Sequence, residues 1–153
     1  MFGWGKPSKP LRLIAEAPED VAAVAALVQD AALRAGDLAY DAEARHFTVT
    51  MNRFCHEAVA RRPGAALRAP SALRIASVQK IQTRGFDPKA LAAPLCLLDI
   101  AVETLEAPAI ALTLRFAGEG AKDVRIEAEC VDLTLLDLAA PRRVRSAPNH
   151  QTD

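Results

Sequence analysis

At 153 residues and 16.4 kDa the chain fits one domain, able to bury roughly 70% of the surface its unfolded form exposes. Hydrophobic residues make up 51% and charged residues 25% at zero net charge, which excludes a disordered polyelectrolyte and argues against nucleic acid as a partner. No apolar run approaches the ~20 residues that span a bilayer, and the opening MFGWGKPSKP lacks a secretory leader's apolar stretch, so a cytoplasmic protein with no membrane partner is expected.

Residues 1–10 read as a flexible tail. LRLIAE (11–16) follows as a strand in which Leu11, Leu13 and Ala15 alternate with Arg12, Ile14 and Glu16. A long N-terminal helix is expected next. Pro18 suits its first turn, Glu19 and Asp20 its positive end, and Gly36 a left-handed cap. Val21, Val24, Leu27, Val28 and Ala31 form its apolar stripe.

The period then changes to two. Leu38 and Tyr40 lie in one short strand, and Phe47, Val49 and Met51 in the next, with the turn-rich DAEAR between them, which predicts a hairpin. Phe54 falls out of step and hints at a bulge near Asn52 and Arg53. RRPGAALRAPS reads as a loop, ALRIASVQKIQTR as a strand, and GFDPKALAAP as a second loop.

Three alternating strands come next. In the first, Cys96, Leu98, Ile100 and Val102 share a buried face opposite Leu97, Asp99, Ala101 and Glu103. In the second, Ile110, Leu112, Leu114 and Phe116 face inward; in the third, Val124, Ile126, Ala128 and Cys130 do. One buried and one wet face is the pattern of antiparallel sheets. VDLTLLDLA reads as a short C-terminal helix, and 141–153 as a polar tail. The expected fold is therefore a single α+β domain over 11–140. It has an antiparallel sheet of about six or seven strands, one long N-terminal helix and one short C-terminal helix. A partly closed barrel of the pleckstrin-homology kind, with a terminal helix, is the alternative.

Charge is uneven along the chain. Residues 41–84 carry eight Lys or Arg against three acids, and residues 95–140 carry three against nine. The simplest reading is that the two halves meet and pair across strands.

Chemistry is sparse. HFTVTMNRFCHE (46–57) gathers His46, Cys55 and His56, but ten extended residues hold the two imidazoles roughly 33 Å apart, so no shared metal is expected. Cys55 and His56 are adjacent and point to opposite faces. Cys55, Cys96 and Cys130 include no C-x-x-C pair and read as buried, structural thiols. GEG at 118–120 is a turn before a strand, whereas a phosphate loop needs a helix start, and no cofactor is expected. Arg142, Arg143 and Arg145 form a basic cluster without interleaved aromatic residues.

VQDA (28–31), GDLAYD (36–41), RHF (45–47), NRFCHE (52–57), LLDI (97–100) and IEAECVDLTLLDL (126–138) resemble an alphaproteobacterial family of unknown function, domain family 2948. The resemblance implies a bacterial cytoplasmic domain covering most of the chain, and no activity.

Two function classes follow. The first is a non-enzymatic binding or protein-interaction module, favoured by a well-patterned sheet without a convergent catalytic set. The second is a small-molecule-binding protein or small enzyme using Tyr40, Asp41, Asn52, Arg53 and Glu57 around the first hairpin. A homodimer is also expected, through an edge of the sheet or through its outward positions, among them Leu97, Ala101, Ala111 and Thr113.

Overall fold

The computed structural model describes residues 9–56 and 67–143. It has eleven strands in one antiparallel sheet and a single short helix among those residues, which corrects the expected α+β fold of six or seven strands with two helices. In chain order the elements are β1 (Arg12–Ala15), α1 (Val21–Val28), β2 (Ala32–Arg34), β3 (Leu38–Asp41), β4 (His46–Phe54) and β5 (Leu67–Ile75). They continue with β6 (Val78–Arg84), β7 (Pro94–Thr104), β8 (Ile110–Phe116), β9 (Asp123–Ala128), β10 (Leu133–Asp137) and β11 (Arg142–Arg143).

Followed strand by strand, the ladders return to their start. β2 pairs β4, β4 pairs β5, and β5 runs through Ala76 and Ser77 into β6. β6 pairs β9, β9 pairs β8, β8 pairs β7, and β7 pairs β2. β9 likewise continues into β10, which pairs β5 and, on its far edge, β1. The result is a closed barrel whose longest ribbons bend, near Ser77 (φ 59°) and between Glu129 and Asp132, where Ala76 N–H bonds Asp132 O and Glu129 N–H bonds Ser77 O. The seam between β2 and β4 is the narrowest, a bridge at Ala32 and Asn52. The pleckstrin-homology alternative also needs correcting, because the segment expected to be a C-terminal helix is strand β10.

The departures have local causes. α1 stops at Val28 because Gln29 turns extended (ψ 136°) and Asp30 takes a left-handed conformation (φ 68°), which Asp tolerates better than most residues. Asp30 N–H then bonds Leu97 O and starts the run into β2. Gly36 is not a left-handed cap. It lies against Leu91, whose carbonyl oxygen would be 3.0 Å from an added Cβ. In β10, Leu133, Leu135 and Asp137 point inward and Thr134 and Leu136 outward, a period of two disguised by the inward acid. The expected loop before Ser71 is partly strand, since β5 begins at Leu67. No bulge interrupts β4, whose register with β5 is continuous from Phe47↔Ile75 to Phe54↔Arg68.

A bulge does occur in β7, between Leu97 and Asp99. It switches the inward face from Leu95 and Leu97 to Ile100, leaving Leu98 exposed, so Leu97 is buried where the sequence pattern placed it outside. Ala111 is buried too. Both leave the surface expected to self-associate.

The barrel interior holds Val49, Leu73, Ile75, Leu97, Leu112, Leu114, Val124, Ile126, Leu133 and Leu135, and Val21, Val24 and Val28 of α1 join the same cluster. Burial at roughly 25 cal/mol per Å² of apolar surface is the main force holding it. Charges from the basic and acidic halves meet across the barrel: Arg45 with Glu129, Arg53 with Asp137, Arg84 with Asp123.

Candidate functional site

Four strands align one residue each in a row across the outer face of the barrel: Pro70 on β5, Asn52 on β4, Ala32 on β2 and Cys96 on β7. Ala32 is the small member, and the sheet is hollow above it. The resulting open groove has a volume of about 430 Å³ and is lined by Ala32, Leu33, Arg34, Asp37, Thr50, Met51, Asn52, Pro70 and Pro94. Asp37 is held in place because its Oδ2 accepts the Arg34 backbone N–H at 2.9 Å.

One step along the strands lies a second row, where Arg68 faces Phe54. The Arg68 guanidinium sits 5.6 Å over the Phe54 ring and donates to Asn52 O at 2.7 Å. The His56 ring meets Phe54 edge-on at 4.7 Å, so Phe54 is buried although it points away from the core. His56 Nε2 lies 2.7 Å from Gln29 O, which makes Nε2 the protonated nitrogen, and 3.7 Å from Asp30 Oδ2. His56 thus ties the end of β4 to the end of α1.

Cys96 lies within the electrostatic reach of Asp30 and Arg68. Desolvation pushes its thiol above the ordinary value, Asp30 adds to that, and Arg68 opposes it. It is half-exposed, as is Cys130, which corrects the expectation of three buried thiols; only Cys55 is buried. A thiol so raised is protonated at neutral pH and a poor nucleophile. Desolvation also lowers the Arg68 guanidinium, with Cys96, Asp30 and Cys55 pulling the other way. Among the described residues no three His, Cys, Asp or Glu side chains come together as metal ligands. His46 and His56 stand at opposite ends of β4.

Asn52 and Arg53 are neighbours in sequence and on opposite faces of β4. Asn52 lines the groove, while Arg53 is fully buried inside. Arg53 Nε and Nη2 donate to Asp137 Oδ1 and Oδ2 at 3.1 and 3.0 Å. Ser71 Oγ donates to Oδ1 at 2.6 Å and Leu11 N–H to Oδ2 at 2.9 Å. Burial works to raise the Asp137 carboxyl's pKa, but the bonds from Arg53, Ser71 and Leu11 and the charge of Arg53 outweigh it and hold the pKa below the usual carboxylate range. This network clamps β1, β4, β5 and β10 together from inside.

Tyr40 and Asp41 are exposed at the other end of the hairpin, Asp41 opposite His46, with its Oδ1 accepting Ala44 N–H in the turn. The four residue steps of β4 from His46 to Thr50, where the groove begins on that strand, hold Asp41 roughly 13 Å from it. Glu57 lies outside the described residues. Of the five residues expected to form a site, Asn52 alone among the described four lines the groove. Arg34, Asp37, Thr50 and Arg68 escaped the sequence reading because their convergence depends on the bridge at Ala32, and an isolated three-residue strand leaves no period to read.

No helix among the described residues is long and apolar enough to cross a membrane. No curated protein and no solved structure matches the chain. The model of the family described as "Protein of unknown function (DUF2948)" matches residues 11–150, and the chain belongs to that family.

Proposed function

We propose that the protein is a non-catalytic binding module whose ligand sits in the outer groove over Ala32. The observation that carries this reading is the groove itself, a hollow at the junction of four strands with polar side chains on its rim and Ala32, Pro70 and Pro94 among its apolar lining. Arg34 and Asp37 place one charge of each sign on that rim, and Asn52 and Thr50 add an amide and a hydroxyl, a set suited to a small zwitterion such as a free amino acid. The raised Cys96 thiol favours binding over thiol catalysis.

A thermal-shift screen against free amino acids and other small zwitterions tests the reading. A ligand at a hundred times its dissociation constant adds about 2.7 kcal/mol, a rise in Tm of several degrees. Ala32→Leu fills the groove and is expected to abolish the shift while the apo protein melts as before. If no zwitterion shifts the Tm, or if Ala32→Leu binds as well as the wild type, the assignment fails.

A further inference from the structure

We propose that β1 is a dimerisation edge, on which a second copy of this chain adds its own β1 antiparallel about a twofold axis at Ile14. Among the described residues β1 has one partner, β10. Asp137 N–H bonds Leu11 O, so in an antiparallel ladder the backbone groups of Leu11, Leu13 and Ala15 face β10 and those of Arg12, Ile14 and Glu16 face away. The outward groups of Arg12 and Ile14 have no hydrogen-bond partner among the described residues, and Glu16 N–H has a long one, to Asp20 Oδ2 at 3.4 Å. Such a row is a template for another strand.

The flanking residues select the register. Centred on Ile14, each Ile14 exchanges backbone bonds with Ile14 of the second copy, and each Arg12 stands opposite Glu16 of the second copy on the same face. Registers shifted either way bring Pro10 or Pro18, which have no N–H, into the ladder. Shifts far enough to centre on Arg12 or Glu16 also set like charges opposite each other. Ile14 is 46% exposed, and Leu136, on β10 opposite Arg12, is 38% exposed, so the outer face beside the edge is apolar enough to gain from coverage.

β3, β6 and β11 also have a single partner strand each among the described residues, and β6, the longest of them, differs from β1. β6 carries Lys80 and Arg84 and a register shift between Val78 and Lys80, both devices that discourage strand addition. β1 has charges of opposite sign, spaced so that a twofold axis makes them complementary rather than repulsive.

Sedimentation velocity over a wide concentration range tests this. The mass is expected to rise from 16.4 kDa toward twice that value as concentration increases. Arg12→Glu and Glu16→Arg each put like charges opposite, and twofold symmetry doubles the effect, so each should weaken the dimer about tenfold or more. The double variant R12E/E16R restores complementarity in this register and should recover wild-type association. Both positions are exposed, and circular dichroism, and Tm at concentrations where every form is monomeric, should match the wild type in all three variants. A mass fixed at 16.4 kDa at every concentration overturns the proposal. So does a dimer that neither single change weakens, or one that the double change fails to recover.

Discussion

Two arginine–aspartate pairs in this barrel have the same fork-to-fork geometry and different surroundings. Arg53 grips Asp137 through Nε and Nη2 with both side chains at 0% exposure, and Arg115 grips Asp99 through the same two atoms, at 2.7 and 2.9 Å, with side chains 53% and 44% exposed. The outer pair has the shorter bonds. It still contributes less, because water solvates and screens both charges when they part, whereas parting the inner pair leaves the Asp137 carboxylate buried without its guanidinium. Distance does not rank these interactions; the environment of the separated state does.

The largest effect should come from breaking the inner pair. Arg53→Met, which leaves the buried Asp137 carboxylate without its guanidinium, is expected to cost about 3–5 kcal/mol of unfolding free energy, read by urea denaturation, while R53M/D137L should lose clearly less than the two single changes added together. Additive losses would mean that the pair does not act as a unit. Acid sharpens the same point. The Asp137 pKa is depressed in the folded state, so its contribution is fully present above the unfolded-state value of about 3.9 and is lost as pH falls through the folded value. Stability measured down to pH 2 should therefore decline less steeply in Asp137→Asn than in the wild type.

A smaller loss, about 1.5–3 kcal/mol, is expected from Ser71→Ala, which removes a hydrogen bond to the buried carboxylate but leaves the ion pair. The smallest is Asp99→Asn on the outer pair, where the melting temperature should not move measurably. A clear destabilisation there would erase the contrast between the two pairs.

The sequence carried part of this. The hairpin of β3 and β4 and the inward faces of β8 and β9 were legible, because apolar and polar residues alternate there without interruption. The length of the helix was not. Ala31 and Leu33 extend an apolar pattern that fits either period, and the break comes from Asp30 bonding Leu97, far away in sequence. β10 was misread for a related reason: a charged residue in phase with Leu133 and Leu135 looks like a wet position until its partner is known. A signal for that partner existed. Phe47, Val49 and Met51 continue in phase to Arg53, not Phe54, so an arginine falls at a core position and calls for a buried acid. The aromatic residue that obscured the phase is covered from outside by Arg68 and His56, which no pattern along one strand can show.

The ring of ladders closes through β9, and β10 beyond it holds both β5 and β1, so Arg53 meets Asp137 across 84 residues. On the ribosome, therefore, no intermediate length of chain can seal the barrel. Until residue 137 has left the exit tunnel, the pair between Arg53 and Asp137 cannot form, and β1 is without its only partner strand among the described residues. Such non-local closure folds slowly compared with helical proteins of this size and waits for β9 and β10 instead of growing strand by strand. The nascent barrel is thus exposed to chaperones and proteases until its last strands have emerged.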